Sequence, residues 1–310
     1  MAMALRALIL GAAAGGGLPQ WNCNGANSAG FWGRGDRLSP ATQSSLAVSV
    51  RDGEWVVLNA SPDIRAQIMA RPQLQPRDPA AHGLRDTPIA AVVLTNGDID
   101  HIAGLLTLRE KQRFDLWTTP VIADILRANP IFDALDPTCV ARREIGLDAP
   151  FEPVPGLTLE LFATPGKTPL FLEGAAGDAV QTDVEGEQTV GVRLSDGTRE
   201  AFYVPGCARM TPALAARLRG AALAFFDGTV FHDDEMIRAG VGHKTGKRMG
   251  HMAMAGPDGS LAAFADLDVK RKIFVHMNNT NPVWRKDSAE RAEVEAAGWE
   301  IAHDGLEVTP

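Results

Sequence analysis

The sequence predicts an α/β protein in which two β-sheets pack face to face with helices outside, an αββα sandwich. Three observations carry that prediction. Short apolar runs of strand character recur along the chain, helical segments with recognisable caps interrupt them, and the second half repeats the first half's alternation of strands and helices. The 310 residues are read as one domain, residues 1–310, since a chain of this length buries a substantial core without having to divide.

Leu5-Arg6-Ala7-Leu8-Ile9-Leu10 is a buried-strand pattern. Arg6 before apolar residues raises the question of a signal peptide, but the glycine-rich Gly11–Gly17 stretch ends the apolar run before Pro19, and the strand reading is the better one. The same glycines are no dinucleotide fingerprint, because neither a helix N-cap nor a correctly placed acid follows them. Ser45–Val50 and Trp55–Leu58 flank Asp52-Gly53, a strong hairpin signal. Ser61-Pro62-Asp63 supplies an N-cap, a first-turn proline and an early acid, predicting a helix from Pro62 toward Ala70. Arg71–Thr87 reads as a proline-rich polar connection and Pro88–Leu94 as a central strand. Ile102, Leu105, Leu106 and Leu108 give Asp100–Lys111 helical spacing. Further strands are expected at Leu157–Ala163, Thr189–Leu194, Glu200–Val204, Ala221–Phe226, Lys272–Met277 and Trp299–Ala302, with helices at Thr211–Leu218 and Ser288–Ala297.

Composition narrows the function. With 45% hydrophobic and 22% charged residues, the chain has the make-up of an ordinary globular protein. A net charge of −8 and a pI near 5.4 supply no field for nucleic acid or an anionic membrane surface. No segment reaches the roughly 20 apolar residues of a membrane span. Cys23, Cys139 and Cys207 are odd in number and far apart, which suits a reducing compartment; the expected location is the cytoplasm.

The chemistry gathers in Leu94–Leu105, where Asp98, Asp100 and His101 sit on a turn between a buried strand and a helix. Helix capping would account for one aspartate. It does not account for a histidine at the positive end of a helix, which is better placed as a neutral metal ligand. The pattern Asn96-x-Asp98-x-Asp100-His101, with Gly104 following, resembles the metallo-β-lactamase superfamily signature His-x-His-x-Asp-His, with both first-metal histidines replaced. Where that superfamily has Pro-Gly-His-Thr, this chain has Pro165-Gly166-Lys167-Thr168, and Cys207 stands where a bridging aspartate is usual. The second metal position keeps Asp100 and His101, and His276 ends a late strand as the last ligand should. Two histidines and one carboxylate with open positions form the facial triad of non-haem Fe(II) and oxygen chemistry, and Zn(II) can use the same set.

Segments outside this motif make the resemblance specific. Gly15–Asn24, Thr42–Ser45, Asn59–Arg65, Thr95–Glu110, Phe226-Asp227-Gly228-Thr229, Gly250-His251-Met252 and His276–Pro282 are together similar to the coenzyme PQQ synthesis protein B family from one end to the other. Many members carry Cys-x-Cys-x-x-Cys after the tryptophan; here Cys23, Gly25 and Ser28 occupy those places, and no structural zinc is expected at Cys23. The resemblance implies an Fe(II)- and O2-dependent hydroxylation in PQQ biosynthesis, acting on the tyrosine ring of a cross-linked Glu-Tyr precursor. It implies Asp100, His101 and His276 as metal ligands and Asp98 as a further ligand or neighbouring acid. Lys167 would bring positive charge to the vacated first-metal position. Asp227 and His251 match segments near the pocket, as pocket groups or as structural hydrogen-bond partners. A metal-dependent hydrolase, and a carrier of PQQ or its precursor to the periplasm, are the other two readings. Lys244, Lys247 and Arg248 form either a solvated cluster or a contact for an anionic substrate. His82, His232 and His303 read as surface or structural histidines, and Trp21, Trp32 and Trp284 as core or pocket wall.

Overall fold

The computed structural model describes residues 4–172 and 181–310; residues 1–3 of the opening segment lie outside it. The strands in chain order are β1 (Arg6–Gly11), β2 (Ser45–Arg51), β3 (Glu54–Leu58), β4 (Ile89–Val93), β5 (Phe114–Thr118) and β6 (Val140–Glu144). They are followed by β7 (Pro150–Val154), β8 (Leu157–Ala163), β9 (Val190–Ser195), β10 (Glu200–Val204), β11 (Leu223–Asp227), β12 (Arg271–Val275), β13 (Trp299–Ile301) and β14 (Glu307–Val308). Among the described residues they form two seven-stranded sheets, ordered β14-β1-β2-β3-β4-β5-β6 and β13-β12-β11-β10-β9-β8-β7.

The two sheets are built alike. In the first, β1, β2 and β3 pair antiparallel, and β3 through β6 pair parallel. In the second, β7 through β10 pair antiparallel and β10 through β13 parallel. The repeat seen in the sequence is therefore a repeat of mixed sheets, each with its parallel strands carrying the loops that matter for function.

Alternation along the strands explains the layers. On β1, Ala7 and Ile9 face the core between the sheets, while Leu8 and Leu10 face the helical side. On β3, Val56 and Leu58 point inward, and Trp55 and Val57 outward. Ile64, Ile102, Leu105, Ile122 and Leu126 cover that outer face from helical segments. With both faces covered, central strands such as β3 and β4 are almost wholly apolar, each buried Leu or Val stabilising the fold by about 1.5–3 kcal/mol. The hairpin turns at Asp52-Gly53, where Gly53 takes φ +74°. No helix among the described residues is long and apolar enough to cross a membrane.

Three local expectations differ from the structure. The helix expected from Pro62 with Ser61 as its cap runs over Ile64–Met69, so the N-cap position falls on Asp63, whose side chain makes no capping bond. Its carboxylate instead accepts hydrogen bonds from the backbone N–H and side-chain amide of Gln43. The helix expected over Asp100–Lys111 is one α-turn, Ile99–Ile102, followed by a 3-10 segment, Ala103–Arg109. Here Gly104 N–H bonds to Ala60 O at 2.9 Å, and a Cβ on Gly104 would lie 2.1 Å from Ser61 O, so close packing against the neighbouring backbone overrides the helical pattern. Finally β5, β6, β7 and the helix Pro120–Arg127 form where no element was expected, and the Arg71–Thr87 connection contains short helical turns at Pro72–Leu74 and Pro79–His82.

Candidate metal centre

The residues singled out from the sequence meet at the carboxyl ends of the parallel strands, where open α/β sheets place their ligands. The turn after β4 carries Asn96, Asp98, Asp100 and His101; β11 ends in Asp227; His276 follows β12. Val190 N–H bonds to Thr95 O at 2.8 Å across the sheets, fixing the two halves at this end.

Asp100, His101 and His276 bring one ligand atom each into a group lying within 4.8 Å of one another. His276 Nε2 is 3.1 Å and His101 Nε2 3.9 Å from Asp100 Oδ2. Ligands about 2.1 Å from a common ion stand about 3.0–3.4 Å apart, so the spacing fits a shared cation with little adjustment. The orientation of His101 is set by Asn96. The Asn96 Oδ1 accepts the Asp98 backbone N–H at 3.0 Å and lies 2.8 Å from His101 Nδ1, so Nδ1 carries the ring proton and Nε2 the lone pair. That Nε2 is buried with no hydrogen-bond partner. An orphaned buried acceptor costs about 1–3 kcal/mol, which a metal bond would remove.

Electrostatics agree with this fit. Burial pushes the His101 pKa down to about 4, against the pull of Asp100, which keeps the ring neutral. Burial alone would raise Asp100, but His101 and His276 beside it hold its carboxyl well below the usual range. For His276, burial opposes protonation, and the hydrogen bond and charge of Asp100 reverse that effect. His276 also adopts φ +58°, an uncommon conformation for a residue with a side chain.

A second group, Asp227, His251 and His276, lies beside the first. Its centre is filled by the Thr229 hydroxyl, 2.7 Å from Asp227 Oδ1, 2.8 Å from His276 Nδ1 and 3.1 Å from His251 Nδ1. Asp227 is fully buried and also accepts from Cys207 N–H at 2.8 Å and His251 Nδ1 at 2.6 Å. Burial would raise its pKa, but the adjacent His251 keeps it lowered and ionised. Cys207 is fully buried, its thiol pushed far above the usual value by desolvation and then by Asp227. It contributes a backbone N–H here, and its sulfur donates to Arg209 O.

Lys167 Nζ lies 3.7 Å from Asp98 Oδ1 and donates to Thr168 O at 3.2 Å, with its side chain only 12% exposed. Its stem passes over Gly250, where an added Cβ would meet Lys167 Cγ at 3.1 Å. Asp98 therefore faces Lys167, and it is not in the converging group of Asp100, His101 and His276. A cleft of about 790 Å³ opens beside His251, lined also by Arg209, Lys247, Met210 and Met252. Lys247 thus reaches a cavity wall. His82 and His303 are exposed, and His232 packs edge-on against Phe231. Trp21 is 82% exposed, Trp32 lines a small surface hollow beside Cys23, and Trp284 packs partly buried against the core. Cys23 Sγ accepts the Gly25 N–H. Sequence reasoning missed the support roles of Asn96 and Thr229 and the cleft position of Arg209.

Comparison with known proteins places these features. The β-lactamase superfamily domain model matches residues 54–277. A coenzyme PQQ synthesis protein B of Rhizobium meliloti is 56% identical over 304 residues, covering 98% of this chain and 97% of its own length. One from Methylorubrum extorquens is 54% identical over 302 residues, covering 97% and 99%. The crystal structure of Zn(2+)-bound PqqB from Methylobacterium extorquens superposes with a TM-score of 0.94 at 53% identity, over 98% of this chain and all of that one. A diphosphatase of the PhnP family shares the fold at a TM-score of 0.69 and 21% identity, over 99% of this chain and 98% of its own. The chain belongs to the coenzyme PQQ synthesis protein B family and has the metallo-β-lactamase fold.

Proposed function

We propose that this protein is a hydroxylase of PQQ biosynthesis, holding one Fe(II) through Asp100, His101 and His276 and acting with O2 on the tyrosine ring of the cross-linked Glu-Tyr precursor. The observation that carries the reading is the convergence of two neutral-capable imidazoles and one carboxylate, with His101 Nε2 buried and unpartnered. Zn(II) fits the same donors and is expected to compete on purification. When bound, iron would supply the activation of O2 that an aromatic substrate requires. Overall, one oxygen atom enters the ring and the other leaves as water, with two electrons from an external reductant.

The chain's own groups bind and orient the substrate and move its protons. Asp227 holds His251 by Nδ1, leaving Nε2 to accept the phenolic proton from a ring lying in the cleft. Arg209 and Lys247 on the cleft wall are suited to substrate carboxylates. Lys167, steadied by Asp98, supplies a fixed positive charge where a first metal would otherwise sit, so a single metal is expected. We read residues 1–310 as one domain, because one apolar core joins both sheets and the pocket draws on both. Fe(II)-loaded protein incubated with the precursor, a reductant and O2 should yield ring-hydroxylated product. Absence of oxygen transfer with iron bound would refute the reading.

A further inference from the structure

We infer that the Thr229 hydroxyl is a tautomer lock: it holds the ring proton of neutral His276 on Nδ1, so that Nε2 is the nitrogen left to face the metal position, while Asp227 sets the same tautomer in the neighbouring His251. The inference rests on the metal reading above and concerns a residue that has no ligand role in it.

Proton accounting carries the argument. Four groups surround Thr229 Oγ1: Asp227 Oδ1 at 2.7 Å, His276 Nδ1 at 2.8 Å, His276 O at 3.0 Å and His251 Nδ1 at 3.1 Å. A hydroxyl offers one proton and two lone pairs. The carboxylate and the carbonyl can only accept, and they already compete for that one proton. His276 Nδ1 therefore has to be a donor, because a bare nitrogen at 2.8 Å would place a third acceptor around a single hydrogen. His251 reaches the same state independently, since its Nδ1 lies 2.6 Å from Asp227 Oδ2. Asp227 is fixed as acceptor by the backbone N–H groups of Cys207 and Thr229, at 2.8 and 3.0 Å.

The consequence appears on the other side of the ring. With Nδ1 held protonated by Thr229, His276 Nε2 faces Asp100 Oδ2 at 3.1 Å, a gap that a metal ion bridges when bound and a second ring proton closes when it is absent. Without the hydroxyl, His276 can move its proton to Nε2 and donate to Asp100, a satisfactory hydrogen bond that closes the metal position. Thr229 is thus a positioning residue that keeps a metal-excluding tautomer from forming.

The test compares wild type, Thr229→Val and Thr229→Ser by zinc titration against a competing chelator and by imidazole nitrogen NMR. Valine keeps the shape and loses the hydroxyl; its zinc affinity should fall about 10–100-fold, the range for groups that orient metal ligands. Metal-free Thr229→Val should show His276 protonated on Nε2. Thr229→Ser, which keeps the hydroxyl, should bind zinc as wild type does, and zinc-loaded wild type should show Nδ1–H on His251. Unchanged affinity in Thr229→Val, Nδ1–H retained on its His276, or a loss in Thr229→Ser would overturn the lock. The serine variant and the wild-type spectra decide the matter even if the valine variant does not fold. Wild type that binds no zinc would overturn the metal reading itself, and the lock with it.

Discussion

Glu235 offers a perturbation whose size follows from the structure. Its side chain is buried, accepting Phe231 N–H at 2.7 Å and lying within hydrogen-bond distance of the Thr280 hydroxyl. Thr280 belongs to the segment that begins at His276, so this acid anchors the loop behind the candidate ligand. Burial lifts its pKa from 4.5 to about 7, against the opposing pull of the Thr280 and Phe231 hydrogen bonds. Because the folded state holds the proton more tightly, Glu235 contributes stability that is complete below pH 4.5 and is lost as pH rises through about 7. At about 1.4 kcal/mol per pH unit, the loss amounts to about 3 kcal/mol. Glu235→Gln imitates the protonated acid and removes the dependence. Urea unfolding of metal-free wild type and variant should show the variant gaining about 3 kcal/mol relative to wild type between about pH 4.5 and pH 8. Parallel stability curves over that window would refute the reasoning.

Three further outcomes follow from the site. His276→Ala should lose metal affinity by more than about 100-fold, beyond what outer partners cost, while circular dichroism shows the fold intact; an iron-loaded, active variant would remove His276 from the ligand set. Lys167→Ala should keep its metal and lose substrate binding or turnover, read as metal content against product formed; full activity would make the lysine a packing residue, and metal loss a support of the centre. Gly104→Ala should destabilise by about 3 kcal/mol or more in chemical unfolding, because its Cβ would meet the Ser61 and Ala60 carbonyls, which are backbone and cannot turn aside.

What the sequence disclosed depended on whether the physical signal was local. The Asp52-Gly53 turn, the apolar β4 and the polar turn after it are short-range patterns, and the structure has them. Two edge strands, unlike β13, were not legible: β6 reads Val-Ala-Arg-Arg-Glu and β7 contains two prolines, the polar and proline-bearing character that sheet edges tolerate. The apolar spacing of Ile102, Leu105, Leu106 and Leu108 suggested a longer helix, since nothing local announces that Gly104 docks on Ala60. At the site, Asp100, His101 and His276 were visible because metal chemistry demands those residue types. Asn96 and Thr229 were not, because an amide or hydroxyl that orients a ring carries no residue-type signal of its own, whether its partner stands five residues on, as His101 does for Asn96, or 47 residues away, as His276 does for Thr229. Arg209 was missed for the same reason, its place on the cleft wall being set by the sheet topology.

The central claim is that the Asp100, His101 and His276 centre serves oxygen transfer to an aromatic ring. The most direct measurement supplies anaerobically purified, Fe(II)-loaded protein with the cross-linked Glu-Tyr precursor and a reductant, admits isotopically labelled O2, and follows the label by mass spectrometry. One labelled oxygen in the tyrosine ring, with one iron per chain and no product from His276→Ala, is the predicted result. Tight binding of the precursor or of PQQ with no label transferred would contradict the claim and favour a carrier.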